Sequence, residues 1–292
     1  MNPGTYPFFL LFPILLSIYF SNNPKNSHIF KQRLSKKGTS PGRLVGGWAI
    51  MLTLFFSYSF FQDLSPETQT LLSAPVFLFS FFLLGTIDDL NGMEAEKKLF
   101  YQAAILLICL LGFETTTLQT FSLLALGLIL INGFNFIDGI NGLLPAVSFV
   151  YFSQLQGGSP MAAIMLGVFY ISRKNRKIYL GDSGSLLLGA LFFWGAVVGF
   201  GDLGTLALNP RPAILFFLLP VADVFLAIFR RGVFQKGEEK TPKKFFKKIS
   251  TPDKKHIHHF LKSRYGEDAT IVIFILVTWV TTEIASAQLT TF

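Results

Sequence analysis

The chain has 292 residues, of which 51% are hydrophobic and only 14% charged, and its mean hydropathy is +0.51. Soluble domains average roughly 25% charged residues, so this composition argues against a water-soluble enzyme; disorder is excluded because it requires low hydrophobicity. The net charge of +8 would suggest nucleic acid in a soluble protein. In so apolar a chain it raises instead the question of which loops hold the positive residues.

Ten apolar runs occur in chain order, at residues 7–20, 44–61, 71–87, 99–113, 121–137, 143–155, 161–171, 183–200, 212–229 and 269–287. At roughly 20 residues per crossing, ten membrane spans with short loops fit the length. The expected fold is therefore all-α, a polytopic membrane protein in which residues 1–292 form one integral membrane domain. The sixth and seventh runs are short for a bilayer, which their flanking polar residues or burial in the bundle would accommodate. No basic residue precedes the first run and a Lys-rich segment follows it, so it is read as a span and not as a cleaved leader. Counting loops alternately from an outside N-terminus places every Lys and Arg except Arg211 on one side. That asymmetry marks the basic side as cytoplasmic. The one sizeable soluble segment, 230–268, lies on that side and is rich in Lys. Its plain reading is a solvated or headgroup-facing loop. Cys109 sits alone inside an apolar run, which excludes an intramolecular disulfide and reads as packing.

Carboxylates near bilayer depth are costly and are functional candidates by default. Asp88 and Asp89 end the third run. Asn132, Asn135 and Asp138 close the fifth, and the spacing of three puts the two amides on one helix face; Gly139 and Gly142 then let the backbone turn. Asp182 opens the eighth run within Gly-Asp-Ser-Gly-Ser, and His256, His258 and His259 stand in the last cytoplasmic loop. Each has a plain alternative: a water-facing helix end for Asp88 and Asp89, interhelical hydrogen bonding for the amides, an N-cap for Asp182, and a surface tract or a zinc site for the histidines. Asp223, three residues after Pro220, would pair with a neighbouring helix where the proline frees a carbonyl. Together, four loops on one face bring carboxylates, amides, imidazoles and lysines. Oxygen donors suit Mg²⁺ and cationic donors suit phosphate, a combination that reads as metal-assisted phosphoryl transfer at the membrane–cytoplasm boundary.

Asp88-Asp89 followed by Lys98, Leu99 and Gln102, the 132–143 segment, the 181–186 segment and His256-Ile257-His258-His259, in this order, resemble the polyprenyl-phosphate sugar-1-phosphate transferases. This superfamily contains the MraY-like translocases that make lipid I and the WecA/TagO-like initiators of envelope glycans. The resemblance runs from about residue 37 to residue 261, and the His-Ile-His-His form is similar to the second branch. It implies transfer of a sugar-1-phosphate, N-acetylglucosamine being the usual sugar, from a UDP-sugar to undecaprenyl phosphate, with release of UMP. Formation of lipid I is the alternative within the superfamily. The cofactor implied is Mg²⁺, with Mn²⁺ as a substitute ion, and the partners are the UDP-sugar, undecaprenyl phosphate and the bilayer, with no nucleic acid and a homodimer left open. The implied location is the bacterial inner membrane, with the site on the cytoplasmic face.

Carried over by motif, Asp182 is the metal ligand, with Asn135 near metal and diphosphate. Asp138 is an active-site carboxylate, and Asp88 and Asp89 are the paired aspartates with Lys98 as their charge partner. Asn132 belongs to the substrate-binding segment, and Tyr179 is the ring against uracil. His256, His258 and His259 form a loop closing over the diphosphate or sugar. Asn141 stands where many members carry aspartate at the uracil site, and Lys37 and Arg43, in a segment that loosely matches the family pattern, fall to phosphate binding. Two readings lie outside the superfamily. A membrane prenyltransferase would show two Asp-rich motifs with aspartates four apart, and Asp88-Asp89-Leu90-Asn91-Gly92 lacks that repeat. A transporter would place its polar residues near the midplane.

Overall fold

The computed structural model describes residues 6–22, 32–33, 42–60, 66–174, 178–199, 203–234 and 256–289. Lys37 and residues 235–255 of the basic loop lie outside them. The elements in chain order are α1 (Tyr6–Asn22), β1 (Gln32–Arg33), β2 (Gly42–Leu44), α2 (Gly46–Phe60), α3 (Pro66–Leu71), α4 (Pro75–Asn91), α5 (Ala95–Leu110), α6 (Thr117–Ile137), α7 (Leu143–Gln154), α8 (Ser159–Lys174), β3 (Ile178–Tyr179), α9 (Gly181–Gly199), α10 (Leu203–Leu208), α11 (Arg211–Phe216), α12 (Leu218–Phe234), α13 (Ile257–Tyr265) and α14 (Glu267–Leu289). The protein is thus mostly helical, as expected for an all-α membrane protein.

Each apolar run forms helix, with one departure. The ninth run is two helices, α11 and α12, separated at Phe217 (φ −96°, ψ 33°). Pro220 lies in the first turn of α12, where its missing N–H costs that helix no intrahelical bond. Among the described residues three helices are long and apolar enough to cross a membrane: residues 117–137, 181–199 and 267–287. Two further features were not legible as apolar runs. Short helices α3, α10 and α13 occupy connections, and a small sheet of order β1-β2-β3 stands beside the bundle. Its outer pair is antiparallel, with Gln32 opposite Arg43. Its inner pair is parallel, with Arg43 opposite Ile178 and Leu44 opposite Tyr179.

Helix α9 is the centre of the bundle. Of its apolar window 89% is buried, against 44% for α6 and 33% for α14. In a bilayer, apolar surface gains little by moving from lipid to protein, so helices associate through close packing of small residues and rings. Gly189 on α9 lies against α6 so closely that a Cβ there would come within 2.6 Å of the Ile131 Cα. Gly85 on α4 lies against the backbone of Asp182 and Ser183 in the same way. Rings fill the spaces where helices diverge: Phe192 of α9 stacks on Phe134 of α6 and on Phe152 of α7, with centroids 4.3 Å apart in both pairs. The start of α2 is tied to the entry of α9 by the Gly47 N–H, which donates to the Leu180 carbonyl at 3.0 Å. This packing fixes the first turn of α9, the turn that carries Asp182.

Candidate active site

Entry into α9 is made by Gly181, whose φ of +77° is favourable only for glycine. The first free N–H groups of α9 do not face an open anion site. Asp89, from the end of α4, accepts the Asp182 N–H on Oδ1 and the Ser183 N–H on Oδ2, each at 2.9 Å. A carboxylate from another helix therefore serves as the cap, satisfying two orphan donors and the positive end of the helix. Lys98, on the first turns of α5, donates from Nζ to Asp182 Oδ1 at 2.6 Å and pairs with Asp88 Oδ2 at 2.8 Å. Asp88 uses its other oxygen to accept the Met93 N–H at 2.6 Å. The expectation that Lys98 is the charge partner of the aspartate pair is thus refined. Its partners are Asp88 and Asp182, while Asp89 is engaged with backbone.

The two amides of α6 serve different neighbours. Asn132 donates from Nδ2 to Gln102 Oε1 on α5 at 2.8 Å and to its own helix at the Leu128 carbonyl. Asn135 accepts on Oδ1 from Ser185 Oγ at 2.7 Å. Ser185 is one turn beyond Asp182 on α9, so the Asn135 contact across α6–α9 lies one helical turn from Asp182. Asp138, the C-cap of α6, is half-buried. Asn141 donates to the Ser172 carbonyl at 3.2 Å, and its own carbonyl accepts from Arg173 Nη1. It therefore ties the loop after α6 to the end of α8. Tyr179, half-buried, lies on β3, three residues before Asp182, with the backbone of Arg43 on the neighbouring strand.

The histidines are not a surface tract. His256 is 6% exposed and His258 1%. His256 Nδ1 is 2.8 Å from Asp223 Oδ2, and its ring lies 4.7 Å from that of Phe136 on α6. His258 packs where a Cβ on Gly139 would collide with its Nε2, and neither of its ring nitrogens has a hydrogen-bond partner among the described residues. Burial, with the neighbouring His259 4.1 Å away ring to ring, pulls the His258 imidazole down from 6.5 to about 3, so it is neutral at physiological pH. Helix α13 is held to the bundle ends by Lys262–Glu267 at 2.6 Å, and Arg173 of α8 pairs with Asp268 at the start of α14.

Sequence reasoning missed Ser185, Phe136 and Arg231. Arg231 is buried with its guanidinium 5.6 Å from the Phe136 ring centroid, although its position at the head of a basic loop marked it as solvated. Ser185 was visible in the Gly-Asp-Ser-Gly-Ser string, at the i+3 spacing from Asp182 that puts both on one face.

Among the described residues no group of three or more His, Cys, Asp or Glu side chains comes together as a metal cage. What the site offers is oxygen donors, the Asp182 carboxylate on the first turn of α9 and the Asn135 amide that Ser185 meets one turn further along. That set fits Mg²⁺, which binds through one or two carboxylates and keeps waters or substrate phosphates as its remaining ligands.

The profile of the family described as Glycosyl transferase family 4 matches residues 71–200, from the end of α3 to the end of α9. An undecaprenyl-phosphate alpha-N-acetylglucosaminyl 1-phosphate transferase of Thermotoga maritima is 30% identical over 79% of this chain and 72% of its own. The chain belongs to this family. A phospho-N-acetylmuramoyl-pentapeptide-transferase of Thermotoga petrophila is 26% identical over 90% of both chains. A probable undecaprenyl-phosphate N-acetylglucosaminyl 1-phosphate transferase of Bacillus subtilis is 28% identical over 66% of this chain and 59% of its own. Family membership makes the protein a polyprenyl-phosphate sugar-1-phosphate transferase. The matched segment contains Asp88, Asp89, Lys98, Asn135, Asp138 and Asp182, while the histidine helix lies beyond it.

Proposed function

We propose that this family member transfers N-acetylglucosamine-1-phosphate from UDP-N-acetylglucosamine to undecaprenyl phosphate, giving undecaprenyl-diphosphate-N-acetylglucosamine and UMP. The observation that carries this reading is the Lys98 bridge between Asp88 and Asp182, set one helical turn from the Ser185–Asn135 contact. A cation, carboxylates and an amide within a turn of one another support a diphosphate-binding role. In the reaction an oxygen of the lipid phosphate forms a bond to the β-phosphorus, the bond from that phosphorus to the bridging oxygen breaks, and UMP carries the electron pair away. A phosphate monoester has its second pKa near 6 and is largely a dianion at neutral pH, so the attack needs no strong general base. Lys98 offsets the charge of the carboxylates around it and donates toward phosphate oxygens. Asp89 holds the first turn of α9 so that Asp182 keeps its place. Asp182 and Asn135 would hold Mg²⁺, which when bound screens the diphosphate and stabilises the leaving phosphate. By the family motif Tyr179 provides a ring for uracil, Asn141 serves the nucleotide, and Arg43 and Lys37 serve the phosphates. Asp138, His258 and His259 border the diphosphate.

Ten spans, a cytoplasmic site, an outside N-terminus and residence in a bacterial cytoplasmic membrane complete the reading, supported by the distribution of Lys and Arg. The reading is tested with labelled UDP-N-acetylglucosamine and undecaprenyl phosphate. Release of UMP with a lipid-linked sugar is expected, lost with EDTA and restored by Mg²⁺. Asp182→Asn is expected to lower transfer by about 100-fold or more, and a folded, fully active variant would sink the site assignment. Formation of lipid I is the second reading, favoured by the relative that aligns over 90% of both chains. Offering UDP-N-acetylmuramoyl-pentapeptide in the same assay separates the two. UMP–UDP-sugar exchange without lipid acceptor would indicate a covalent aspartyl intermediate instead of direct transfer.

A further inference from the structure

Asp223 is a carboxylate with 3% exposure, three residues past the proline that breaks the ninth apolar run, and the chemistry above does not use it. Burying a carboxylate is costly unless its lone pairs are taken up. Here they are taken up by a single neighbour segment. Oδ2 is 2.8 Å from His256 Nδ1, and Oδ1 accepts the Ile257 N–H at 3.1 Å.

Each contact has a consequence. An ionised carboxylate only accepts hydrogen bonds, so the proton on His256 must reside on Nδ1. In the neutral ring Nε2 is then the basic nitrogen, and in the protonated ring it is the donor. The second contact replaces a missing cap. His256 is the N-cap of α13 and provides no side-chain cap of its own. Asp223 takes the first N–H of α13 from outside, where a negative charge is also favoured by the helix dipole. The His256 ring cannot swing freely, because it packs on Phe136, which stands between Asn135 and Ile137 on α6. One buried carboxylate thus sets the docking of the histidine helix, the plane of the His256 ring and its tautomer.

We propose that Asp223 is a positioning residue for the transfer reaction: it holds His256 as the Nδ1–H tautomer against α6, so that Nε2 is the ring atom presented to the substrate diphosphate. The inference rests on the transferase reading of the same site. Asp223 does not touch substrate. Its effect passes through His256, and the plain rival is that it only caps α13.

Asp223→Asn separates the two. Asparagine keeps an oxygen for the Ile257 N–H, so the cap survives, but it offers N–H₂ to His256 and forces the ring proton onto Nε2. The expected result is a fall in kcat of about 10- to 100-fold, with the KM of both substrates within about twofold of wild type. The protein labelled with ¹⁵N at its four histidines is then compared by NMR, the His256 signals being identified by their loss in His256→Gln. Wild type is expected to show the Nδ1–H form of His256 and Asp223→Asn the Nε2–H form. An Nε2–H form in the wild-type protein overturns the proposal even where Asp223→Asn does not fold. So does Asp223→Asn with wild-type kcat, or with its change confined to KM. The tautomer is read without substrate, so a wild-type protein that shows the Nδ1–H form but transfers no sugar-phosphate would fail the transferase reading and not the Asp223–His256 geometry.

Discussion

His258 shows what burial does to a single titratable side chain in this site. It is neutral, almost fully enclosed and packed on Gly139. Its folded pKa of about 3 lies below its ordinary 6.5, so between those values the unfolded chain binds more protons and stability rises with pH. The contribution of the neutral ring is complete above about pH 6.5 and is lost as the pH falls toward 3. Between about pH 7.5 and about pH 5.5, wild type is expected to lose about 1.4 kcal/mol that a non-titrating His258→Gln variant keeps. Melting curves of the two proteins in detergent check this, and equal pH dependence would contradict it. The same residue shows why the site was only partly legible in the sequence. Residue type and order marked Asp88, Lys98, Asn135 and Asp182 as candidates, because a carboxylate, an amide or an ammonium at the end of an apolar run has few other uses. Partners were a different matter. That Asp89 caps α9 while Lys98 joins Asp88 to Asp182 depends on helix rotation, which the spacing of residues within one run does not determine.

At the scale of elements, contacts between α9 and its neighbours are made by glycines facing backbone, which has no rotamer with which to give way. Gly189→Ala would place a methyl 2.6 Å from the Ile131 Cα, so α6 and α9 must separate. A destabilisation of about 1–3 kcal/mol is expected, read as a lower melting temperature. Because Ser185 and Asn135 sit on the same two helices, transferase activity should fall with it. A variant as stable as wild type would show that the α6–α9 contact adjusts freely. The element boundaries follow from simple signals: apolar runs of the right length, the Thr116–Gln119 capping box that starts α6, and Pro220 as a helix breaker. The three-stranded sheet gave no such signal. Its strands are two or three residues long, too short for an alternating pattern to register, and the β2–β3 pairing joins segments more than 130 residues apart.

For the whole molecule, the basic residues lie on the loops that also carry the site, and this gives a direct test of orientation. In a Cys109→Ala background, Ser263→Cys on α13 is expected to react with a membrane-impermeant maleimide only when the cytoplasmic face is accessible. Ser73→Cys, between α3 and α4, is expected to react only from the opposite side. Both positions are exposed. Labelling of both from one side would overturn the topology. The contrast in burial between α9 and α14 has a last consequence. A helix that touches lipid must tilt or stretch to match the thickness of the bilayer around it. Helix α14, mostly outward-facing, takes up that adjustment, whereas α9 is screened from acyl chains by its neighbours. The turn bearing Asp182 is therefore insulated from membrane thickness, and changes of lipid composition reach the chemistry through the supply of the lipid substrate more than through distortion of the catalytic frame.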